Sequence, residues 1–103
     1  MEITITEKHL DKALSKCREL KLKDEGYTPY CLMGEAVRDF TGKEVIGCGH
    51  TVVKVIDGYN ECWYRLDCRV VQYVNMFDGI IEKGTDETRL RNSLPLTLTI
   101  KKD

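Results

Sequence analysis

The chain has 103 residues, of which 42% are hydrophobic and 32% charged, a balance typical of a soluble globular protein and unlike that of a disordered or membrane protein. Its two prolines and eight glycines form no linker-like stretch, so we expect a single domain spanning residues 1–103. Sixteen basic and seventeen acidic side chains give a net charge of −1, which excludes the uniform positive field of a protein that coats nucleic acid.

The amino-terminal segment and the cysteines favour a cytoplasmic protein. Met1 is followed by no apolar run of the kind that directs secretion, and no uncharged run is long enough to span a bilayer. Cys48 and His50 have no second ligand pair, so we expect neither a metal site nor another cofactor. The cysteines are odd in number and include no C-x-x-C pair, so we expect no disulfide framework; they are Cys17, Cys31, Cys48, Cys62 and Cys68.

The first two elements follow from a change of hydrophobic period. Ile3 and Ile5 alternate with threonines, which predicts a strand with one buried face, and Thr6 can cap a following helix. Six basic against two acidic side chains give residues 8–23 a net charge of +4, which fits either a solvated surface or an anionic partner. Spacings of three and four place the apolar residues of this helix on one face: Leu10, Ala13, Leu14, Cys17 and Leu20.

A second helix is predicted to start at Thr28 and Pro29, because proline at the first helical position gives up no hydrogen bond. Gly42 is a suitable carboxyl-terminal stop for it. Its core-facing positions are again three and four residues apart: Met33, Ala36, Val37 and Phe40.

From residue 44 the period changes to two. The alternation predicts three strands between residues 44 and 66, the first of them short, with a turn at residues 57–60 that makes the last two a hairpin. Asp67 then caps a third helix that stops at Gly79. Its core-facing stripe is Val70, Tyr73, Val74 and Phe77.

Residues 78–94 are rich in charge and predict a long loop, and Pro95 opens a final alternating strand. The order is therefore β-α-α-β-β-β-α-β. This order predicts an α+β fold, in which a small antiparallel or mixed sheet has about three helices packed on one face. A long loop in so small a domain tends to bind a partner or to move.

The start of the second helix is the main candidate for chemistry. Cys31 falls in its first turn, where the helix dipole stabilises a thiolate, and His50 is an available base. The backbone N–H groups near Thr28, Tyr30 and Cys31 would also hold a phosphate or carboxylate without catalysis. A buried structural cysteine is the plainer interpretation, so we predict no catalytic residue and no enzyme.

The predicted hairpin carries the aromatic residues Tyr59, Trp63 and Tyr64. They either pack on the sheet or stack on a base or a partner protein. Lys54 and Arg65 on the same hairpin would supply the positive charge that such a stacking surface needs.

Four short motifs occur at intervals along the chain: the strand Ile3–Thr6, the helix segment Cys31–Arg38, the Val-x-x-Tyr-Val-x-x-Phe-Asp-Gly run of residues 70–79 and the closing Leu-Thr-Leu-Thr-Ile strand. Together they resemble a widespread family of small phage and prophage proteins, which includes type II anti-CRISPR-like counter-defence proteins. This chain departs from that family in having Leu32, where proline is common after the helix cysteine, and a longer segment before the last strand.

The resemblance implies a phage-type protein that acts in the host-cell cytoplasm by stoichiometric binding to a component of bacterial immunity. Our first hypothesis is an anti-CRISPR-like inhibitor of an RNA-guided nuclease. The alternative is a sponge that sequesters a nucleotide immune signal, of the cyclic ADP-ribose or cyclic oligonucleotide type, and a less favoured one is an enzyme that uses Cys31. A homodimer would enlarge the binding surface of so small a protein. The predicted ligand- or partner-binding residues are Thr28, Tyr30, Cys31, His50, Trp63, Tyr64, Arg89 and Arg91.

Overall fold

The computed structural model describes residues 1–22 and 31–102. In chain order the elements of this part are β1 (Glu2–Ile5), α1 (Glu7–Leu22), α2 (Leu32–Thr41), β2 (Glu44–Cys48), β3 (Val52–Asp57), β4 (Asn60–Leu66), α3 (Val70–Lys83), α4 (Thr88–Asn92) and β5 (Leu96–Lys102). The α+β class and the predicted order are confirmed, and a short helix, α4, is added before the last strand. Among these helices none is long and apolar enough to cross a membrane.

The five strands form one antiparallel sheet in the order β1-β5-β4-β3-β2. Strands β2, β3 and β4 follow one another as a meander, and β5 then pairs with both β4 and β1. The turn between β3 and β4 is at Gly58 and Tyr59, where the positive φ of Gly58, 67°, is a conformation that glycine adopts without strain.

One face of the sheet, which we call the inner face, packs against the helices. Because side chains alternate along a strand, every second residue contributes to this face. All five residues of the apolar stripe predicted for α1 are buried, and α2 contacts β1, β2 and β3. The most deeply buried strand residues of the inner face are Ile3, Ile5, Val53, Val55, Leu98 and Ile100.

A histidine joins the start of α1 to α2. The backbone N–H of Thr6 donates to Nδ1 of His9 over 3.1 Å, so the proton of the neutral ring lies on Nε2. Nε2 lies 2.8 Å from Oδ2 of Asp39 and donates to it. This hydrogen bond holds the pKa of the Asp39 carboxyl below its ordinary value. A buried polar group thus fixes the relative position of two helices.

Helix α3 is longer than the sequence predicted. It runs through Gly79 to Lys83 and ends at Gly84, whose φ of 69° is left-handed. Ile80 and Ile81 are both buried, and this burial outweighs the cost of about 1 kcal/mol for a glycine within a helix. The predicted stop at Gly79 is therefore wrong.

The predicted long loop of residues 78–94 is also wrong. Its first part belongs to α3, and residues 88–92 form α4, whose Leu90 is buried in the core. Thr85 folds back and donates its hydroxyl to the carbonyl of Gly79, which orders the connection between the two helices. Loop length therefore no longer supports a binding role for this region.

Helix α2 differs in part from the sequence prediction. It begins at Leu32 with Cys31 as its N-cap, and Thr28 and Pro29, the predicted start, lie outside the described residues. Gly42 ends the helix in the left-handed conformation, as predicted. Phe40 was expected in the core but is 51% exposed, because it lies in the last turn before the chain leaves for β2.

Candidate functional site

Cys31 occupies a position that usually belongs to serine, threonine, aspartate or asparagine. Its backbone is extended, and its Sγ accepts a hydrogen bond from the backbone N–H of Gly34 at 3.3 Å. The backbone N–H of Met33 also helps to lower the pKa of the thiol. The side chain is buried beneath the start of the helix. The sulfur therefore receives N–H donors that favour its thiolate form.

Cys48 is the last residue of β2, and its side chain is the main influence that lowers the pKa of Cys31. The N–H groups of Gly34 and Met33 act in the same direction, and burial opposes them. The side chain of Cys31 and burial in turn raise the pKa of Cys48. Burial also raises the pKa of Cys17, a further core cysteine, to about 12. The pKa shifts of Cys31 and Cys48 thus run in opposite directions, and Cys31 has the lowered pKa.

His50 is not the partner of Cys31. It lies exposed in the turn between β2 and β3, and its charge acts on Asp78 of α3. The pKa of Asp78 is raised by burial and by the charge of Glu82, and His50 opposes that rise. The side chain with the largest effect on the pKa of Cys31 is Cys48, and His50 is not among the groups that shift it.

Trp63 and Tyr64 are neighbours in β4 but point to opposite faces of the sheet. Tyr64 is buried at the inner face, where its hydroxyl accepts a hydrogen bond from Nζ of Lys43 at 3.0 Å. That bond is the largest cause of the raised pKa of Lys43. Trp63 is 43% exposed on the other side. The prediction that both rings belong to one binding site is therefore corrected for Tyr64, whose ring packs in the core.

The face of the sheet that holds Trp63 is exposed or half-buried along its whole breadth, and we call it the outer face. Thr4 of β1 and Thr97 of β5 are hydrogen-bonded across it, which shows that the two strands direct these side chains to the same side. Its members are Glu2, Thr4, Val52, Lys54, Ile56, Glu61, Trp63, Arg65, Thr97, Thr99 and Lys101.

The charges of the outer face surround Trp63. Lys54 lies directly opposite it on β3, with the ammonium 5.1 Å from the centre of the indole ring and 2.7 Å from the carboxylate of Glu61. Arg65 of β4 is opposite Lys101 of β5, so two cations are cross-strand neighbours. Like charges in that relation destabilise a sheet slightly. The outer face thus carries an exposed indole with three cations, Lys54, Arg65 and Lys101, and two carboxylates, Glu2 and Glu61. The indole and the cations are groups that contact planar and anionic ligands.

The two predicted arginines lie elsewhere. Arg91 of α4 is bonded to Asp11 of α1 at 2.6 Å and to Glu87 at 2.7 Å, and these bonds raise its pKa. It therefore holds α4 against α1. Arg89 is exposed on α4, beside a shallow groove lined by Asp86, Thr88, Asn92 and Ser93.

The structure therefore does not gather the predicted binding residues in one pocket. Trp63 is on the outer face, Tyr64 and Cys31 are in the core, and His50 is exposed in the β2–β3 turn. Thr28 and Tyr30 lie outside the described residues. In the parts of the chain that are described, no group of three or more histidine, cysteine or acidic side chains could hold a metal ion.

Of two residue pairs in the site, Lys54 with Trp63 and Cys31 with Cys48, only the first could be predicted from the sequence. The pairing of Lys54 with Trp63 follows from the two-residue turn at Gly58 and Tyr59, which fixes the register of the hairpin. The influence of Cys48 on the pKa of Cys31 has no such local signal, because it depends on how α2 packs over β2.

Comparisons of the chain with protein-family models, with curated proteins and with solved structures find no match. The fold and the site alone therefore define its class. It is a small α+β protein whose antiparallel five-stranded sheet is covered by helices on the inner face and presents an outer face with an exposed tryptophan among charged side chains.

Proposed function

We propose that the protein is a counter-defence protein that acts by stoichiometric binding, and that it binds its target through the outer face. The supporting observation is Trp63, a large aromatic side chain that is 43% exposed on an open sheet. The core on the inner face already stabilises β4, so folding does not require an indole at this position. Exposed tryptophan is far more frequent at the centre of binding surfaces than elsewhere on protein surfaces.

The charge around Trp63 supports an anionic target. Lys54 adds a cation over the ring, and Arg65 on the same strand as Trp63 and Lys101 on β5 add two more cations to the face. This combination binds nucleobases by stacking and phosphates by charge in proteins that recognise single strands. A guide-loaded RNA-guided nuclease presents both nucleic acid and protein, and it is our first candidate target.

The breadth of the outer face supports a macromolecular target over a small molecule. Five strands about 4.8 Å apart give a face roughly 20 Å wide, and a nucleotide on it would keep one side in water. Sites for small molecules typically bury about 70–90% of the ligand. Tyr59 at the tip of the β3–β4 hairpin is fully exposed and extends the surface toward the area that protein partners bury.

A nucleotide sponge is the second candidate, and the ammonium of Lys54 over the indole of Trp63 favours it. In that case a second copy of the chain would close over the ligand, so that two outer faces enclose one nucleotide. The sponge therefore predicts a dimer in the bound state, whereas the nuclease inhibitor needs only one copy.

Phage plaquing in hosts that each carry one immune system tests the main proposal. We expect the wild-type gene to restore plaquing in a host with an RNA-guided nuclease, and Trp63→Ala to abolish that rescue. Phe40→Ala is the matched control, because Phe40 is an aromatic residue of similar exposure on α2, away from the outer face. Absence of rescue in every host would refute the counter-defence function, and full rescue by Trp63→Ala would refute the binding face.

Calorimetric titration with cyclic dinucleotides and cyclic ADP-ribose species separates the two candidates. Heat at one ligand per two chains, lost in Trp63→Ala, would favour the sponge. Titrations without heat, together with a stable complex with the guide-loaded nuclease, would favour the inhibitor. Recovery of the intact nucleotide after denaturation would distinguish a sponge from an enzyme that uses Cys31.

A further inference from the structure

Helices α3 and α4 enclose a groove of about 440 Å³, which we call the α3–α4 groove. None of the residues that line it belongs to the outer face. We propose that this groove binds a short acidic peptide segment of a partner protein, which inserts one apolar side chain between the two helices. The proposal stands independently of the proposed function.

One stripe of α3 forms the first wall of the groove. Met76, Ile80 and Lys83 are four and three residues apart, so they lie on one side of the helix. Ile80 is buried and Met76 is half-buried, and Leu90 of α4 is buried across from them, so the floor of the groove is apolar. The unbranched side chain of methionine adapts its shape to different apolar partners. The floor therefore suits an apolar side chain of a ligand.

Gly79 and Thr85 determine how much room the groove has. A Cβ atom at Gly79 would lie 3.2 Å from Oγ1 of Thr85, closer than such atoms ordinarily approach a neighbour. The hydroxyl of Thr85 is held there by its hydrogen bond to the carbonyl of Gly79, at 2.8 Å. Glycine keeps this part of the groove open, although it is a poor helix former. A larger side chain at position 79 would fill the space.

The charges at the rim favour an acidic ligand. Lys83 on α3 and Arg89 on α4 are exposed on the two walls, and neither forms an ion pair with another described residue. The acidic residue of the rim, Asp86, already accepts hydrogen bonds from the backbone N–H and the hydroxyl of Thr88, at 2.8 and 2.6 Å. The two cations are therefore available to carboxylates that flank an apolar side chain of the ligand.

The length of the groove favours a peptide over a lipid. Helix α4 has five residues and is therefore about 7.5 Å long. A groove bounded by so short a helix accepts one apolar side chain with its neighbours, whereas the alkyl chain of a lipid would extend beyond it. Protein partners often bind through one such anchor, with polar contacts around it.

Titration of the ¹⁵N-labelled full chain with three synthetic peptides tests the proposal, with amide signals as the readout. The first peptide is a leucine between two pairs of glutamates, the second has lysines in place of the glutamates, and the third has serine in place of the leucine. We expect the first to shift the signals of Gly79, Thr85 and Arg89, with an affinity about tenfold or more above the other two. Equal affinities for the acidic and the basic peptide, or no shift at the groove with the acidic one, would overturn the proposal.

Variants of the groove distinguish binding there from a general attraction of charges. Gly79→Leu fills the groove, and Lys83→Glu combined with Arg89→Glu reverses the charge of its rim. Each should weaken the acidic peptide about tenfold or more, and the charge reversal should also strengthen the basic peptide. The matched control is Lys8→Glu combined with Lys12→Glu, which reverses two exposed cations of α1 that act on Asp39 of α2. An equal loss of affinity in this control would overturn the proposal.

Two other occupants of the groove give different results in the same experiments. Shifts at the groove with sodium decanoate, and none with the acidic peptide, would assign the groove to a lipid. Self-association in sedimentation, abolished by Gly79→Leu, would assign it to a second copy of the chain. Either result would overturn the assignment to an acidic peptide.

Discussion

The two faces of the sheet use the same strands for different purposes, and the consecutive residues Trp63 and Tyr64 show the contrast most clearly. On the inner face, Tyr64 is buried and its hydroxyl is bonded to Lys43. On the outer face, Trp63 is open to solvent and is accompanied by Lys54. The residue types on the inner face are determined by packing against the helices. The outer face contacts no core, so its composition is free to serve binding.

Polar residues show the same division. On the helix side they join elements: His9 links α1 to α2 through Asp39, and Arg91 links α4 to α1 through Asp11. On the outer face Lys101 is exposed and lies across from another cation. Replacing residues of the first kind should therefore change stability, and replacing residues of the second kind should change binding.

The largest expected effect on stability comes from the inner face of β5. Ile100 is buried and its neighbour Thr99 is exposed on the outer face. Ile100→Ala should lower the free energy of unfolding by about 2–5 kcal/mol because it leaves a cavity, whereas Thr99→Ala should change it by less than about 0.5 kcal/mol. Urea unfolding of the two variants measures both values, and equal losses would break the distinction between the faces.

A smaller effect is expected from the ion pairs between α4 and α1. Arg91→Ala removes the bonds to Asp11 and Glu87 and should cost about 1 kcal/mol, since exposed pairs each contribute at most that much. Target binding should be unchanged.

Lys101→Ala should do the opposite, weakening target binding without measurable loss of stability. Thermal unfolding and a binding assay are measured on both variants. Loss of target binding in Arg91→Ala, or loss of stability in Lys101→Ala, would contradict the division between the two faces.

The smallest effect is a change in pH dependence. The pKa of Asp39 is lowered in the folded protein by the hydrogen bond from His9, so the charged carboxylate favours folding. This contribution is present above the ordinary carboxyl value of about 3.9 and is lost as the pH falls through the lower folded value. Asp39→Asn should therefore lose less stability than wild type between pH 5 and pH 3 in urea titrations, and identical slopes would exclude the coupling.

The alternation of apolar residues made the strands and α1 predictable. The buried residues of β5 and of the β3–β4 hairpin recur at every second position, and those of α1 at spacings of three and four. Each of these elements buries one continuous stripe, so local sequence and tertiary packing agree. The apolar stripe of α3 is predictable as well, but the end of this helix is not. Gly79 is a typical stop residue, whereas Ile80 and Ile81, in the turn that follows it, are buried in the core and extend the helix.

Features that depend on tertiary contacts could not be predicted. Helix α4 has five residues and one buried side chain, Leu90, which is too little for a periodic signal. The influence of Cys48 on the pKa of Cys31 arises only when α2 packs on β2. In the same way, the sequence alone makes Arg91 a candidate for binding an anionic ligand. In the structure its guanidinium is instead paired with the carboxylates of Asp11 and Glu87.

The most direct test of the outer face uses the fact that Trp63 is the single tryptophan of the chain. Protein labelled with 5-fluorotryptophan has one fluorine signal, which an unlabelled partner does not obscure. On addition of a guide-loaded type II RNA-guided nuclease, with complex formation followed by size-exclusion chromatography, we expect that signal to shift or broaden at a one-to-one ratio. A complex that forms while the signal keeps its free position and width would show that the outer face is not the binding surface.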